Sequence, residues 1–342
     1  MPKKFLIRVP ASTANLGPGF DALGAALSLH LVLTATLTPK VATTITYTGP
    51  TPCSTVPLHP FLNMITRTAI YLATAHNTTL PRMALHIANP IPLGRGLGSS
   101  GAAVVGGLVL ANLACGLGLD KARLLDHCIA FEGHPDNVAA SLFGGAVAGL
   151  MVRDVRQVHV DLCKWESDVE ELAAADAEGA GPVPPVPALE AGPIGLHVRV
   201  PVSEAIRCVV VVPRFELSTK LARSVLPETY SRPDVVFNLS RTAVLVAALG
   251  AATPNPVIIR EAMRDRVHQY YRRSLVPGMS DVLEMADVEG LLGVCVSGSG
   301  PTAIAFATAG FEEIGAKMRT IFGKAVGADG EGSTAGGSRQ DP

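Results

Sequence analysis

The sequence lacks the patterns that mark several protein classes. Its six cysteines include no Cys-x-x-Cys pair and no cysteine or histidine at zinc-ligand spacing, which argues against a structural zinc site and favours a reducing compartment. Its 28 basic and 29 acidic residues nearly cancel, so a formal net charge of -1 creates no global field for nucleic acid or an anionic membrane. No apolar run is long enough to span a bilayer, and the first strand-like run is too short for a signal-peptide core. We expect a cytoplasmic protein without nucleic-acid or membrane partners.

The chain has enough apolar residues to form two cores, since 48% of its 342 residues are hydrophobic. Strand-like runs alternate with runs of helical periodicity, which predicts a layered α+β architecture. Strands are predicted at 4–9, 29–38, 43–48, 82–88 and 206–212, with two more within 291–306. Helices are predicted at 59–75, 99–114, from Asp120 to about 131, from Ser218, at 235–249 and at 311–322. The order of elements in the second half suits a split βαβ, ferredoxin-like domain.

Composition also predicts the domain boundaries. A first domain is expected over 1–200 and a second over 201–325. Residues 164–195 are acidic and then rich in alanine, glycine and proline, so we expect an exposed low-complexity insertion or an interdomain loop that buries little apolar surface. The Gly/Ser-rich segment 329–342 is expected to be a disordered tail.

The most informative segment is the glycine-rich run at 90–103, which leads directly into an apolar helix. Glycines let the backbone approach phosphate oxygens closely, and the free N–H groups and dipole of a helix N-terminus attract an anion. No lysine precedes a serine or threonine there, so the run is not a Walker A loop. An ordinary turn before a buried helix is the alternative. The predicted nucleotide-binding residues are Pro92, Leu93, Gly94, Arg95, Gly96, Leu97, Gly98, Ser99, Ser100 and Gly101.

Three segments of the chain, in order, resemble the three signatures of the GHMP kinases, the family of galactokinase, homoserine, mevalonate and phosphomevalonate kinases. They are the first signature at 10–21, the second at 90–103 and the third at 296–302. Residues 9–24, together with 132–137, Gly144-Gly145, 218–227 and 265–272, are similar to the homoserine kinases within that family. The resemblance spans about 300 residues. It implies a two-domain GHMP kinase architecture, an ATP-binding α+β domain followed by a ferredoxin-like α/β-plait domain.

The resemblance further implies an ATP- and Mg²⁺-dependent transfer of phosphate to the hydroxyl of L-homoserine, a step in threonine biosynthesis. Phosphoryl transfer needs a metal site and groups that position both substrates. By analogy with the family, Ser100 and Glu132 are expected to bind magnesium, which prefers hard oxygen ligands. A surface carboxylate at a helix end is the alternative for Glu132. The resemblance also suggests a homodimer, whereas feedback inhibition by threonine stays open.

Homoserine is a zwitterion, so its site should offer a carboxylate, a guanidinium and a polar group for the hydroxyl. The resemblance supplies Asn15 and Asp21 for the amino end and Arg223 with Arg272 for a forked bond to the carboxylate. A solvated charge is the alternative for Arg272.

The resemblance places Asn137 and His134 at the hydroxyl, although His134 could instead cap a turn. Asp136 is the nearest candidate for a general base, but Asn137 occupies the position matched to the hydroxyl and cannot accept a proton. We therefore hypothesise catalysis without a strong protein base. The third signature is expected to turn against the phosphate loop and shape the site, with a plain hairpin connection as the alternative.

Two other functions remain open from sequence. A different small alcohol, such as mevalonate, phosphomevalonate or a sugar, could be the acceptor, although a sugar needs no carboxylate clamp. A non-catalytic regulator that senses metabolites could also retain this fold. The intact glycines, Ser99, Ser100 and Glu132 weigh against a regulator.

Overall fold

The computed structural model describes residues 3–38, 40–175 and 183–329, which form two β-sheets flanked by helices. The strands are β1 (Lys4–Ala14), β2 (Leu23–Leu37), β3 (Thr44–Thr48), β4 (Met83–Ala88), β5 (Ala146–Met151), β6 (Gly195–Val200), β7 (Arg207–Val211), β8 (Leu291–Val296) and β9 (Ala303–Ala307). The helices are α1 (Met64–Ala75), α2 (Ser99–Cys115), α3 (Lys121–Glu132), α4 (Asp136–Phe143), α5 (Arg156–Ala175), α6 (Thr219–Ser224), α7 (Arg232–Leu249), α8 (Pro256–Ala262), α9 (Gln269–Arg272), α10 (Met279–Leu283) and α11 (Phe311–Asp329). The predicted α+β fold class is confirmed.

The first sheet has six strands and is organised around the long strand β2. The sheet runs in the order β3-β4-β2-β5-β6, and β1 pairs with β2 in antiparallel register. Helices α1 to α5 contribute to the large apolar core that the sheet shares, including the fully buried Tyr71, Leu108 and Leu125. This core holds α2 and α4 against β1.

The second sheet has three described strands in the order β7-β9-β8. β9 pairs antiparallel with both neighbours, so β7 and β8 run parallel with β9 inserted between them. The helices between β7 and β8 form the crossover, and this arrangement is the split βαβ unit that the sequence predicted. The chain passes from the first sheet to the second between Val200 and Arg207, close to the predicted domain boundary, which stays a prediction.

Local capping explains where several helices begin. The side chain of Asp120 accepts a hydrogen bond from the Arg123 N–H at the start of α3, and Ser218 caps α6 in the same way. The helix predicted from residue 59 begins five residues later, at Met64, because Asn63 is the N-cap and accepts from the Ile65 N–H. No helix in the described part of the chain is long and apolar enough to cross a membrane.

The first signature is part strand and part turn, because β1 continues to Ala14 before the turn begins. Two expectations about segments need correction. The proposed insertion at 164–195 is not simply exposed, because α5 runs to Ala175 and buries Trp165 and Val169 in the large core. The last helix ends at Asp329 instead of Phe322, and the predicted tail beyond Asp329 lies outside the described residues.

Candidate active site

A cleft opens between the two sheets and is lined by both halves of the chain. The first half contributes the glycine-rich run, the turn after β1 and the start of α4. The second half contributes α6, Arg272 and the turn of the third signature. Residues that are far apart in sequence therefore meet at one site.

The glycine-rich run forms a loop that delivers free backbone amides to the cleft, and we call residues 94–101 the phosphate loop. Gly96 and Gly98 have φ angles of 75° and 65°, a left-handed conformation that disfavours other residues. Gly98 is the N-cap of the 17-residue helix α2, and no side chain caps that helix. The N–H groups of its first turn are consequently available to an anion, with the helix dipole favouring negative charge.

The third signature packs directly on the phosphate loop, as the sequence predicted. The Ser297 hydroxyl donates to the Gly96 carbonyl at 2.7 Å and also lies 2.9 Å from the Thr13 hydroxyl. The Gly298 N–H donates to the Ala14 carbonyl at 3.2 Å. All three signatures are thus connected, and the same turn also joins β8 to β9.

Ser100 and Glu132, the predicted magnesium ligands, are adjacent across the cleft. The Ser100 hydroxyl donates to Glu132 Oε1 at 2.5 Å. Ser100 lies in the first turn of α2 and Glu132 is the last residue of α3, so two helix ends bring a hydroxyl and a carboxylate together beside the phosphate loop. This set of hard oxygen donors fits a magnesium ion that keeps most of its ligands as water and phosphate.

His134, Asp136 and Asn137 lie together at the start of α4. His134 Nδ1 is 2.5 Å from Asp136 Oδ1, and the Asn137 N–H donates to the same oxygen. Burial opposes the charge on His134, but the Asp136 carboxylate raises the pKa of His134 to about 9. Burial acts to raise the pKa of Asp136, but the neighbouring His134 holds that pKa below its usual range. The two side chains therefore form a partly buried ion pair near neutral pH.

A hydrogen bond to the side-chain oxygen of Asn137 fixes the orientation of its amide group. Asn137 Oδ1 accepts a hydrogen bond from the Ser12 hydroxyl at 3.0 Å, and Ser12 is in turn contacted by Ser141. An amide with its oxygen held in this way presents its NH₂ group as a donor. Asn137 lines the cleft beside the phosphate loop, so this donor suits a hydroxyl oxygen.

Asp21 and Arg223, predicted to bind opposite ends of the substrate, form a forked ion pair with each other. Arg223 Nη2 donates to Asp21 Oδ1 at 2.8 Å and Nη1 donates to Oδ2 at 3.1 Å. Although burial opposes it, the bond to Asp21 raises the pKa of Arg223. The cleft thus presents a negative and a positive group side by side.

The side chain of Asn15, which the sequence predicted to bind the substrate, bonds the protein backbone at both ends of its amide. It is 3% exposed, its amide donates to the Gly298 carbonyl at 2.9 Å, and its oxygen accepts from the Asp21 N–H at 3.0 Å. Its φ of 72° marks the turn after β1. Asn15 therefore ties the first signature to the third and orients the backbone at Asp21.

Arg272 is buried against the third signature and is not a solvated surface charge. It is 3% exposed, and burial, together with the nearby Arg223, lowers its pKa to about 10, so it stays charged at neutral pH. Its Nε donates to the Ala222 carbonyl at 3.0 Å and its Nη1 to the Gly298 carbonyl at 3.2 Å. Among the described residues Nη2 makes no hydrogen bond, so it is the remaining donor for a ligand.

Most of the predicted site residues line this cleft, and three of them do not. Pro92, Leu93 and Leu97 belong to the predicted nucleotide-binding run but do not line it. Leu97 is 4% exposed and packs in the large core. Leu93 instead lines a neighbouring groove. The cleft also includes Thr219 and Ser299, which lie in segments that resemble the family but were not among the predicted site residues.

The neighbouring groove is a second feature that sequence reasoning missed. It adjoins the cleft at Ser99 and Ser100, follows the start of α1, and is mainly apolar. Its lining includes Val56, Leu62, Met64, Leu93 and Ala103. The signal in the sequence was the apolar content of 56–64. It was overlooked because most of those residues were assigned to a helix predicted from residue 59.

Comparison with known proteins identifies the family to which the chain is similar. Residues 63–145 match the family described as GHMP kinases N terminal domain, and residues 246–324 match GHMP kinases C terminal. The chain is 44% identical to homoserine kinase of Saccharomyces cerevisiae, covering 95% of this chain and 94% of that protein. It is 42% identical to homoserine kinase of Schizosaccharomyces pombe, covering 94% and 93%.

Solved structures give the same result for the fold. The structure of homoserine kinase from Cytophaga hutchinsonii aligns with a TM-score of 0.70 at 25% identity, covering 95% of this chain and 91% of that one. Phosphomevalonate kinase of Streptococcus pneumoniae, solved with phosphomevalonate and AMPPNP, aligns with a TM-score of 0.62 at 15% identity, covering 94% and 97%. That second likeness concerns the fold alone.

Proposed function

The chain belongs to the homoserine kinases of the GHMP kinase family, and from that membership we propose how its cleft transfers the γ-phosphate of ATP to the hydroxyl of L-homoserine, giving the O-phospho-L-homoserine used in threonine biosynthesis. One observation carries the proposal. The uncapped N-terminus of α2 and the Asp21–Arg223 pair face the same cleft. A phosphate site and a site for a zwitterion are thereby adjacent.

ATP is expected to lie across the cleft and the apolar groove. The phosphate loop binds the phosphates through backbone N–H groups. The groove that begins at Ser99 and Ser100 then receives the adenine, because a flat heteroaromatic ring gains from apolar contact. This placement points the γ-phosphate toward Asn137.

Ser100 and Glu132 would hold Mg²⁺ beside those phosphates. When bound, magnesium neutralises phosphate charge that builds up during transfer. We expect Glu132→Gln to raise the Mg²⁺ concentration needed for half-maximal activity and to lower kcat. Glu313→Gln, on the exposed face of α11, is the control and should leave both unchanged. Equal Mg²⁺ titrations for the two variants would exclude Glu132 as a ligand.

Homoserine is expected to bind with its ammonium group toward Asp21 and its carboxylate toward Arg223 and Arg272 Nη2. Each oxygen of Asp21 and each Nη of Arg223 retains bonding capacity beyond the ion pair. The substrate ammonium group then faces the Asp21 carboxylate, and the substrate carboxylate faces the Arg223 guanidinium. The substrate hydroxyl reaches the Asn137 amide, which orients it toward the phosphate loop.

Transfer needs no strong protein base in this arrangement. The hydroxyl oxygen forms a bond to the γ-phosphorus as the bond to the bridging oxygen of ADP breaks, and the proton passes late to the transferred phosphate. The low pKa of Asp136 and its hydrogen bonds make it a poor base. The role of the site is to position the reactants and stabilise charge.

The test is coupled ADP release with ATP and Mg²⁺, offering homoserine, mevalonate, galactose and threonine in turn. We expect turnover selective for homoserine, and Arg223→Ala and Arg272→Ala should mainly raise the KM for homoserine. Arg319→Ala, an exposed arginine on α11, is the control. Preference for another alcohol would favour a different GHMP kinase, and ATP binding without turnover would favour a regulator.

The protein is further proposed to be a cytoplasmic homodimer. Cys115, Cys128, Cys163, Cys208 and Cys295 are free thiols, as suits a reducing compartment. Strand β6 is an edge strand of the larger sheet, and its Leu196 and Val198 are exposed. Pairing of the β6 strands of two copies would cover the strand edge and the exposed Leu196 and Val198 side chains. Light scattering tests the oligomeric state, and a monomer at assay concentration would contradict it.

A further inference from the structure

We propose that His268 is a positioning residue for the reaction, which holds the Arg272 guanidinium so that its Nη2 faces the substrate carboxylate. This inference rests on the proposed role of Arg272 in binding homoserine. His268 is fully buried and belongs to none of the groups assigned above to either substrate. It connects the turn after β1 to the short helix that carries Arg272.

The hydrogen bonds of the His268 ring define its tautomer. Nε2 lies 2.7 Å from the Gly17 carbonyl oxygen, which can only accept, so Nε2 carries the hydrogen. In the neutral ring Nδ1 is then an acceptor. Arg272 Nη1 lies 3.3 Å from Nδ1, in position to donate to it. If both ring nitrogens carried a hydrogen, the Nδ1–H group would face the N–H group of Arg272 Nη1, and neither could accept. The positively charged imidazolium would also lie against the positively charged guanidinium.

The surroundings of His268 favour this neutral form. Burial lowers its pKa, and the Arg272 charge acts in the same direction, against Asp265 and Asp21. Asp265 is 3.9 Å from the ring, but its oxygens already accept from the backbone N–H groups of Val267, His268 and Gln269 and from the Asn238 amide. The Asp265 carboxylate therefore stabilises the backbone of 265–269 through these hydrogen bonds.

The bonds of Arg272 show what His268 contributes. Nη1 divides its two hydrogens between the Gly298 carbonyl and His268 Nδ1, and Nε bonds the Ala222 carbonyl. Phe20 stacks on the His268 ring at 5.2 Å, and the Arg272 guanidinium lies 5.1 Å from the Phe20 ring. If the acceptor at Nδ1 is lost, one buried hydrogen of Nη1 has no partner, and the guanidinium gains by rotating toward another acceptor. That rotation would move Nη2 away from the substrate.

Two substitutions separate the two ring nitrogens. The amide oxygen of His268→Asn lies near the position of Nδ1 and keeps an acceptor for Arg272, but the shorter side chain does not reach the Gly17 carbonyl. The longer amide of His268→Gln reaches the position of Nε2 and can donate to Gly17, but leaves no acceptor near Nδ1. The pair therefore tests which contact matters at nearly constant polarity.

We expect His268→Gln to raise the KM for homoserine about tenfold or more, with kcat and the KM for ATP within about threefold of the unmodified enzyme. His268→Asn should stay within about threefold in all three constants. A purely structural role would instead affect both variants alike and change the KM for ATP as well. Equal effects, or no effect of His268→Gln, would overturn the inference.

Two further measurements keep this test independent of the proposed function and of variant folding. If the unmodified enzyme does not phosphorylate homoserine, the proposed function fails. Crystal structures of both variants then still decide whether Arg272 stays in place with Asn and moves with Gln. In the unmodified protein, ¹⁵N NMR of labelled histidine should show His268 protonated at Nε2 alone, and a doubly protonated or Nδ1-protonated ring would refute the arrangement.

Discussion

Asp136 lies beside the position proposed for the reacting hydroxyl, but its hydrogen bonds are directed inside the protein. One of its oxygens accepts from both His134 and the Asn137 backbone. Asn137, by contrast, has its oxygen held by Ser12 and its NH₂ group available. At the scale of single residues, the partners that a side chain already has decide which of its atoms can serve the reaction.

This distinction predicts different effects for the two neighbours. We expect Asp136→Asn to reduce kcat by less than about hundredfold, below the range typical of a lost general base. Asn137→Ala should reduce kcat more, because it removes the donor to the hydroxyl. Steady-state kinetics below the melting temperature of each variant provides the measurement. A larger loss with Asp136→Asn than with Asn137→Ala would show that the carboxylate accepts the proton.

The His134–Asp136 pair also predicts how stability depends on pH. The pKa of His134 is raised to about 9 in the folded protein, above about 6.5 for an unfolded chain. The stabilisation is therefore fully present below about pH 6.5 and is lost as the pH rises through about 9. The shift corresponds to about 3 kcal/mol.

Urea unfolding across that range checks this dependence against the double variant His134→Gln, Asp136→Asn. The double variant has no ion pair, so the unmodified protein should lose stability relative to it between about pH 6.5 and 9. Parallel pH curves for the two proteins would mean that His134 does not gain its charge on folding.

At the scale of elements, the phosphate loop is held in place by two other segments of chain. These are β1, whose Ser12 N–H donates to the Leu97 carbonyl at 3.1 Å, and the third signature. Gly96 lies against the carbonyls of Ser297 and Gly300, and a Cβ at Gly96 would overlap the Ser297 oxygen. The loop therefore depends on close backbone contact with the third signature as well as on its own φ angles. A change in either partner would displace the amides that face the nucleotide.

Gly96→Ala and Gly118→Ala separate these two requirements. Both glycines have positive φ, of 75° and 69°, but a Cβ at Gly118 would meet no atom within 4 Å. Gly118→Ala should cost about 1–2 kcal/mol in backbone strain and leave the KM for ATP unchanged. Gly96→Ala should destabilise more and raise the KM for ATP strongly. ATP titrations and urea unfolding of both variants test this, and an unaltered KM for ATP in Gly96→Ala would contradict the proposed loop contact.

At the scale of the whole molecule, α5 belongs to the large core although its sequence looked like part of an insertion. Trp165 is 2% exposed, and its indole N–H donates to the Pro184 carbonyl at 3.2 Å. Arg67 on α1 forms ion pairs with Glu166 and Glu170 on α5. The segment around 183–189 in turn packs on this core.

Trp165→Ala is therefore expected to lower the free energy of unfolding by about 3–5 kcal/mol. The constants kcat and KM should change little, because the side chain is not part of the cleft. Val160→Ala is the control, since Val160 is 59% exposed on the same helix. Urea unfolding provides the measurement, and similar small losses in the two variants would mean that α5 does not contribute to the core.

The sequence by itself determined the features that depend on neighbouring residues. Capping by Asp120 and Ser218, the glycine conformations of the phosphate loop and the alternation of strands with helices follow from local steric and hydrogen-bonding preferences. The three signatures placed nearly all the site residues in one cleft through family resemblance. Only the tertiary structure decided contacts between distant segments, such as the Asp21–Arg223 pair, the apolar groove, the burial of Trp165 and the bond from Arg272 to His268. Such contacts depend on how separate elements pack, and no local preference specifies that geometry.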